Sequence, residues 1–317
     1  MKILVTGGSG YKGSVLIPKL LKENYKINNI DTQWFGNYLP RHKNLKNFKK
    51  NILDISDNDL KNVDCVIHLA SIANDPMSEI DKNLSWETSA LGTKILMDKC
   101  IKNKVKRFIY ASSGSVYGLK REKKVHEKLD LTPLSLYNKV KMVTERVVNS
   151  YSDQIETFII RPATVCGLSP RMRLDLTVNI LTYKAIKNKN ITVYGGSQIR
   201  PNIHIDDITN LYIYLIKCKK KFCGTYNAGF ENLSVLNIAK LIKNKIPCSI
   251  KIIKNTNDPR SYRLNSDKLL KIGFKPKKNI LTAINEMSVF FQSRKNTNKE
   301  SYFTIKKLKK IFMNKKS

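Results

Sequence analysis

No apolar run in the sequence is long enough to cross a bilayer. The longest, such as Cys65-Val-Ile-His-Leu-Ala70, fall far short of the about 20 residues a spanning helix needs. A charged-then-apolar leader is also missing, because Met1 runs straight into the strand-like Ile3-Leu-Val5, so no secretory signal is expected. The cysteines (65, 100, 166, 218, 223, 248) lack the paired spacing of a metal site, so no metal is expected. They read as reduced thiols of a cytoplasmic protein. Acidic residues are few: 25 against 58 basic ones, a formal net charge of +33. Such an excess raises nucleic acid or an anionic membrane as partners. Here, though, the lysines spread over the whole chain among abundant Asn and Ile, and no zinc finger, helix-turn-helix or aromatic RNA-binding motif accompanies them. The reading is therefore no nucleic-acid partner and no membrane contact, with a surface that still draws small phosphorylated anions.

What is present is the composition of a globular protein: 317 residues, 41% hydrophobic and 26% charged. The richest stretch is Lys2-Ile-Leu-Val-Thr-Gly-Gly-Ser-Gly-Tyr-Lys-Gly13, where an apolar run meets Gly7, Gly10 and Gly13 and a helix over Ser14 to Lys22 follows. That order, strand, tight turn and helix N-terminus, suits a pyrophosphate. Gly7 permits the turn, Gly10 lets backbone approach the phosphates, and Gly13 lets helix and strand pack closely. The helix dipole and exposed N–H groups favour the anion. A second strand, Tyr25 to Ile30, ends in Asp31, placed to accept from the ribose hydroxyls and to repel a 2′-phosphate. This favours NAD over NADP.

Phe48 to Asp54 reads as a third strand, with Asp54-Ile55 near the adenine edge. Cys65 to Leu69 reads as a fourth, followed by the small residues Ala70, Ser71 and Ala73. A helix over Leu84 to Lys102 and a strand over Phe108 to Ser112 continue the alternation, which runs to about residue 161. The pattern predicts an α/β, Rossmann-type doubly wound parallel sheet. At the end of the 108–112 strand stands Ser113. Tyr137 and Lys141 open a later helix and, four residues apart, share one face. An ammonium there stabilises a phenolate, making the tyrosine a usable base near neutral pH, while the serine hydroxyl holds the reacting oxygen.

These residues resemble the extended short-chain dehydrogenase/reductases, in particular the NAD-dependent nucleotide-sugar epimerases and dehydratases of the UDP-glucose 4-epimerase kind, over about residues 1 to 290. The resemblance implies NAD bound by Gly7, Gly10, Tyr11, Lys12, Gly13, Asp31, Asp54, Ile55, Leu69, Ala70, Ser71, Tyr137, Lys141 and Pro162. It implies catalysis by Ser113, Tyr137 and Lys141, and a nucleotide-diphosphate sugar held by Ser113, Tyr137, Asn179, Arg200 and Arg263, with Arg260 the alternative to the last. Planar guanidinium forks suit a diphosphate. It further implies a homodimer through the helices 84–102 and 137–151. The expected organisation is an NAD-binding domain over 1–165, with 203–230 returning to it, a smaller C-terminal α/β substrate domain over 166–290, and a basic tail over 291–317. The tail reads as a short amphipathic helix or a solvated end, with solvated favoured.

Two departures matter. The family's dehydratases place an Asp-Glu pair directly after the catalytic hydroxyl residue, whereas Gly114 and Ser115 stand here. Neither can protonate a leaving hydroxyl or take a proton from carbon, so a dehydratase of that type is not expected, and the resemblance implies epimerisation at C4. A nucleotide-sugar 4-ketoreductase is the alternative within the enzymes, and a non-catalytic NAD-binding protein the alternative outside them. Cys166 replaces an aromatic residue before Gly167, leaving the sugar undetermined. Arg171 and Arg173 pair either with an acidic sugar or with the protein's own carboxylates.

Overall fold

A computed structural model of the chain describes residues 1–254, 261–294 and 299–313. Seven parallel strands form its central sheet in the order β10-β6-β5-β4-β1-β2-β3. These are β1 (Lys2–Thr6), β2 (Lys26–Asp31), β3 (Leu45–Lys49), β4 (Cys65–His68), β5 (Arg107–Ala111), β6 (Glu156–Pro162) and β10 (Gly224–Ala228). Ile3, Val5, Ile67, Ile109, Phe158 and Ile160 fill one face of the sheet; Leu4, Val66, Phe108, Tyr110 and Ile159 fill the other. Helices cover both faces, so the strands read as unbroken apolar runs rather than alternating ones. The strand order reverses between β1 and β4, the switch point at which ligands of open α/β sheets sit.

The C-terminal half adds a three-stranded sheet, β11-β9-β7, from β7 (Thr164–Cys166), β9 (Ile199–His204) and β11 (Glu231–Ser234). A parallel pair, β8 (Asn190–Tyr194) with β12 (Ser249–Ile253), lies beyond it. Segment 203–230 supplies the helix Ile205–Ile216 and β10, which pairs with β6 in the main sheet.

Three sequence expectations change. The third strand ends at Lys49, and Ile52–Asp54 is instead a 3₁₀ turn capped by Asn51, whose Oδ1 accepts from the Leu53 N–H at 3.2 Å. The long helix expected over 84–102 divides into Lys82–Trp86, a π-type turn Glu87–Leu91 and a helix Gly92–Lys102. The basic tail is not a solvated end. Its segment Thr304–Met313 is a helix whose Leu308 is wholly buried, packed with Ile72 and Met77 of the segment after β4.

Candidate active site

The site is a cavity of about 470 Å³ at the carboxyl ends of the central strands, within the usual range for small-molecule sites. The loop Gly7–Gly13 lines it. Gly7 adopts φ +72°, and a Cβ there would fall 2.6 Å from the Ala70 amide nitrogen. Both the turn and the close approach to the end of β4 therefore require glycine. At Gly13 a Cβ would meet Gly8 Cα at 2.4 Å, so the helix Gly13–Lys22 starts directly against its own loop. That helix has no side-chain cap and no acidic residue in its first turn, which leaves its positive end for an anion.

Asp31 closes β2 beside the loop. Its carboxylate accepts from the Ser9 N–H at 3.0 Å and the Gln33 N–H at 2.6 Å, which aims it along the cavity wall. Burial raises its pKa, and the two amides work against that rise. Lys12 reaches across to the Tyr212 hydroxyl at 3.4 Å, on the helix Ile205–Ile216. Burial, and then Arg173, lower the Lys12 pKa to about 8. An uncapped helix end, an open glycine loop, an ammonium and a ribose-accepting carboxylate on one wall fit a dinucleotide diphosphate.

Across the cavity, the helix Leu136–Asn149 begins at Ser135, whose Oγ accepts from the Asn138 N–H at 3.2 Å. This start puts Tyr137 in the first turn and Lys141 one turn later, both on the cavity wall. Lys141 Nζ donates to the Ala111 carbonyl at 2.8 Å and lies 4.9 Å from the centre of the Tyr110 ring. Burial lowers its pKa to about 7, the Lys12 charge adds to the fall, and Glu145 opposes it. Ser113, just past β5, shares a 2.7 Å hydrogen bond with the Ser115 hydroxyl, which donates to Asn138 Oδ1 at 2.5 Å. At Gly114 a Cβ would lie 3.1 Å from the Pro162 carbonyl, so a larger side chain there crowds β6.

Of the residues singled out from sequence, the cavity gathers Gly7, Gly10, Tyr11, Lys12, Gly13, Asp31, Leu69, Ala70, Ser71, Ser113, Tyr137, Lys141, Pro162 and Arg200. Four lie elsewhere. Asp54 is exposed and Ile55 is buried in the core; Asn51 and Ile52 line the cavity in their place, because the chain turns after Lys49. Asn179 is wholly buried behind the wall. Its Oδ1 accepts from the Gly167 N–H, and its Nδ2 donates to the Tyr11 hydroxyl and the Arg173 carbonyl, each at 3.0 Å. Arg263 is exposed, and its neighbour Tyr262 lines the cavity instead. Arg260 lies outside the described residues.

Sequence reading missed Trp34, Phe35, Tyr262, Thr304 and Ile305 on the same wall. The aromatic pair follows Asp31 after only Thr32 and Gln33 and was within reach of a local argument. Thr304 and Ile305 arrive from the far end of the chain, which no local pattern encodes. Arg171 and Arg173 both reach the cavity but take partners from the protein. Arg173 holds Asp175 with two hydrogen bonds, at 3.1 and 2.6 Å. Arg171 lies 4.0 Å from the centre of the Phe35 ring and donates to Thr304 Oγ1 at 3.2 Å.

This arrangement is that of a dinucleotide-dependent enzyme, and the comparisons with known proteins agree. Residues 3–229 match the model of the NAD dependent epimerase/dehydratase family. A protein described as "Uncharacterized UDP-glucose epimerase YtcB", from Bacillus subtilis, is 32% identical over 265 residues, 77% of this chain and 82% of that protein. A dTDP-D-glucose 4,6-dehydratase of Dictyostelium discoideum is 30% identical over 272 residues, 77% of this chain and 62% of that protein. Among solved structures, a UDP-glucuronic acid 4-epimerase from Bacillus cereus, in complex with UDP-glucuronic acid and NAD, superposes with a TM-score of 0.82. It is 26% identical and covers 92% of this chain and 99% of that one. The chain belongs to the NAD-dependent epimerase/dehydratase family, and its cofactor is NAD.

Proposed function

We propose that the chain is an NAD-dependent 4-epimerase of a nucleotide-diphosphate sugar, with Ser113, Tyr137 and Lys141 as its catalytic residues. The observation that carries this reading over elimination chemistry lies just past Ser113. Gly114 sits against the Pro162 carbonyl and Ser115 hydrogen-bonds to Ser113 and Asn138, so neither offers a carboxylate to expel a hydroxyl or to take a proton from carbon. The relatives with epimerase names support it further.

Bound NAD supplies an acceptor, and then a donor, for one hydride at the sugar's C4. The residues of the chain do the rest. Tyr137 takes the proton of the C4 hydroxyl and later returns it. Lys141, held by the Ala111 carbonyl, places positive charge one helical turn from the phenol and stabilises its anion. Ser113, braced through Ser115 and Asn138, donates to the oxygen as it changes between hydroxyl and carbonyl. Arg200 lines the cavity and is the cation assigned to the nucleotide diphosphate. Asn179 acts one step back, by fixing Tyr11 and the Gly167 turn. A cytoplasmic setting accords with six free thiols, and a homodimer with the exposed Trp86 and Leu91 on the segment before the helix Gly92–Lys102. Analytical ultracentrifugation checks the dimer.

Supplying UDP-, GDP- and dTDP-sugars without added cofactor, and following product by NMR, tests the assignment. Interconversion of C4 epimers is expected with at least one of them. Turnover that requires stoichiometric NADH or NADPH overturns it in favour of a ketoreductase. Tyr137→Phe is expected to lose roughly 100- to 10,000-fold in kcat, the usual contribution of a positioned acid–base group.

A further inference from the structure

The helix Thr304–Met313 reaches the cavity from the far end of the described chain. Its first residues, Thr304 and Ile305, line it. Phe312, near its end, packs edge-on against Trp34 at 5.5 Å between ring centres, on the segment that follows Asp31. Leu308, in the middle and wholly buried, packs with Ile72 and Met77 after β4. The helix therefore bridges two flanks of the dinucleotide cleft, the ends of β2 and of β4. Polar contacts pin its start: Thr304 Oγ1 accepts from Arg171 and bonds to Asp175 Oδ1 at 3.1 Å, and the Tyr302 carbonyl accepts from the Leu174 N–H at 2.9 Å. Tyr38, further along the β2 flank, shares a 2.9 Å hydrogen bond with Ser301.

We propose that this C-terminal helix is a strap over the adenosine half of the cofactor site, and that NAD leaves or enters only when it undocks. The physical reason is the placement of its anchors. Ile305, Leu308 and Phe312 recur at i, i+3 and i+7, one apolar stripe that packs, among the described residues, on the two cleft flanks. Lys306, Lys309 and Lys310 fall off that stripe, and Lys309 and Lys310 are exposed. Ten residues of helix cannot hold together alone in water, so undocking and unravelling are one event and the strap acts as a unit. A catalyst that regenerates its cofactor in every turnover gains from such retention. The proposal rests on the NAD reading of the cavity, but not on which sugar is used.

The test is cofactor exchange in the full chain, with no sugar present. Protein loaded with radiolabelled NAD is chased with excess unlabelled NAD, and Trp34 fluorescence reports docking, in a Trp86→Phe background. Leu308→Asp puts a charge into the buried stripe, and Phe312→Ala removes only the contact to Trp34. Exchange is expected to accelerate roughly tenfold or more in the first and less in the second, because burying a charge costs more than trimming a ring. A changed Trp34 signal with an unchanged exchange rate overturns the strap. So does faster exchange in a Leu308→Asp protein whose helix stays docked. Failure of the parent protein to hold NAD at all would instead indict the cofactor reading, and circular dichroism distinguishes either result from global unfolding.

Discussion

Two ammonium groups lining the cavity, Lys12 and Lys141, set the pH behaviour of the site. Lys141 is buried beside the Ala111 carbonyl and the Tyr110 ring; burial, and then the Lys12 charge, lower its pKa to about 7 against the pull of Glu145. In the unfolded chain the same group titrates near 10.5. Between these values the unfolded state binds the extra proton, so this residue makes the ligand-free fold more stable as pH rises from about 7 toward 9. Lys141→Met is expected to flatten that part of a stability-versus-pH curve measured by urea unfolding. Replacing Lys12 with Met removes one of the charges that press on Lys141 and lets its pKa rise. The alkaline limb of kcat/KM is then expected to move up by roughly half a pH unit to one unit, the scale of a nearby like charge. An unmoved limb would mean that Lys12 is screened from Lys141. Both lysines were legible in sequence as site residues, Lys141 from its spacing to Tyr137 and Lys12 from its place in the glycine loop. Their coupling was not, since it depends on how far the loop and the tyrosine helix stand apart in space.

Among the elements, the helix Leu136–Asn149 must keep Tyr137 and Lys141 in register with Ser113, and a buried charge pair anchors it. The guanidinium of Arg161, on β6, holds Glu145 at 2.6 Å, and Ser112 donates to the same carboxylate. Arg161 also donates to the Tyr117 hydroxyl at 2.7 Å, and Tyr117 donates to Asn227 of β10 at 2.8 Å. Two strands, the segment just past β5 and the helix thus meet in one polar network inside an apolar core. Arg161→Met strands a buried carboxylate and should cost about 3–5 kcal/mol in denaturant unfolding, whereas pairing it with Glu145→Met should recover most of the loss. Sequence reading located this helix to within two residues and found five strand segments before it. It failed where non-local contacts decide. Asn51 caps a turn that ends β3 early, so Asn51 and Ile52 line the cavity where Asp54 and Ile55 were expected. From sequence the tail reads as a solvated end in preference to an amphipathic helix, because the cleft flanks that cover its apolar stripe are distant along the chain.

For the whole molecule, the +33 charge and the placement of the site act together. A cavity lined by Lys12, Lys141, Arg171, Arg173 and Arg200, on a basic surface, attracts dianionic diphosphates from a distance. KM for the nucleotide sugar should therefore rise several-fold between about 50 mM and 500 mM NaCl, as screening shortens the reach of that field, while kcat changes little. The doubly wound fold followed from the strand–helix alternation, whereas the switch point between β1 and β4 is read from the folded chain. The junction with the C-terminal half, where Tyr11 donates to the Gly167 carbonyl and Ser14 meets Ser169, comes only from the folded chain.

The account turns on one claim, that the hydrogen removed from C4 returns to C4 of the same sugar. A nucleotide sugar carrying deuterium at C4, incubated with the protein and no added cofactor, tests it by NMR. The predicted result is inversion at C4 with the deuterium retained and no solvent hydrogen entering at C5. Loss of the label, or solvent hydrogen at C5, would contradict it, the latter pointing to elimination chemistry that Gly114 and Ser115 are not equipped to perform.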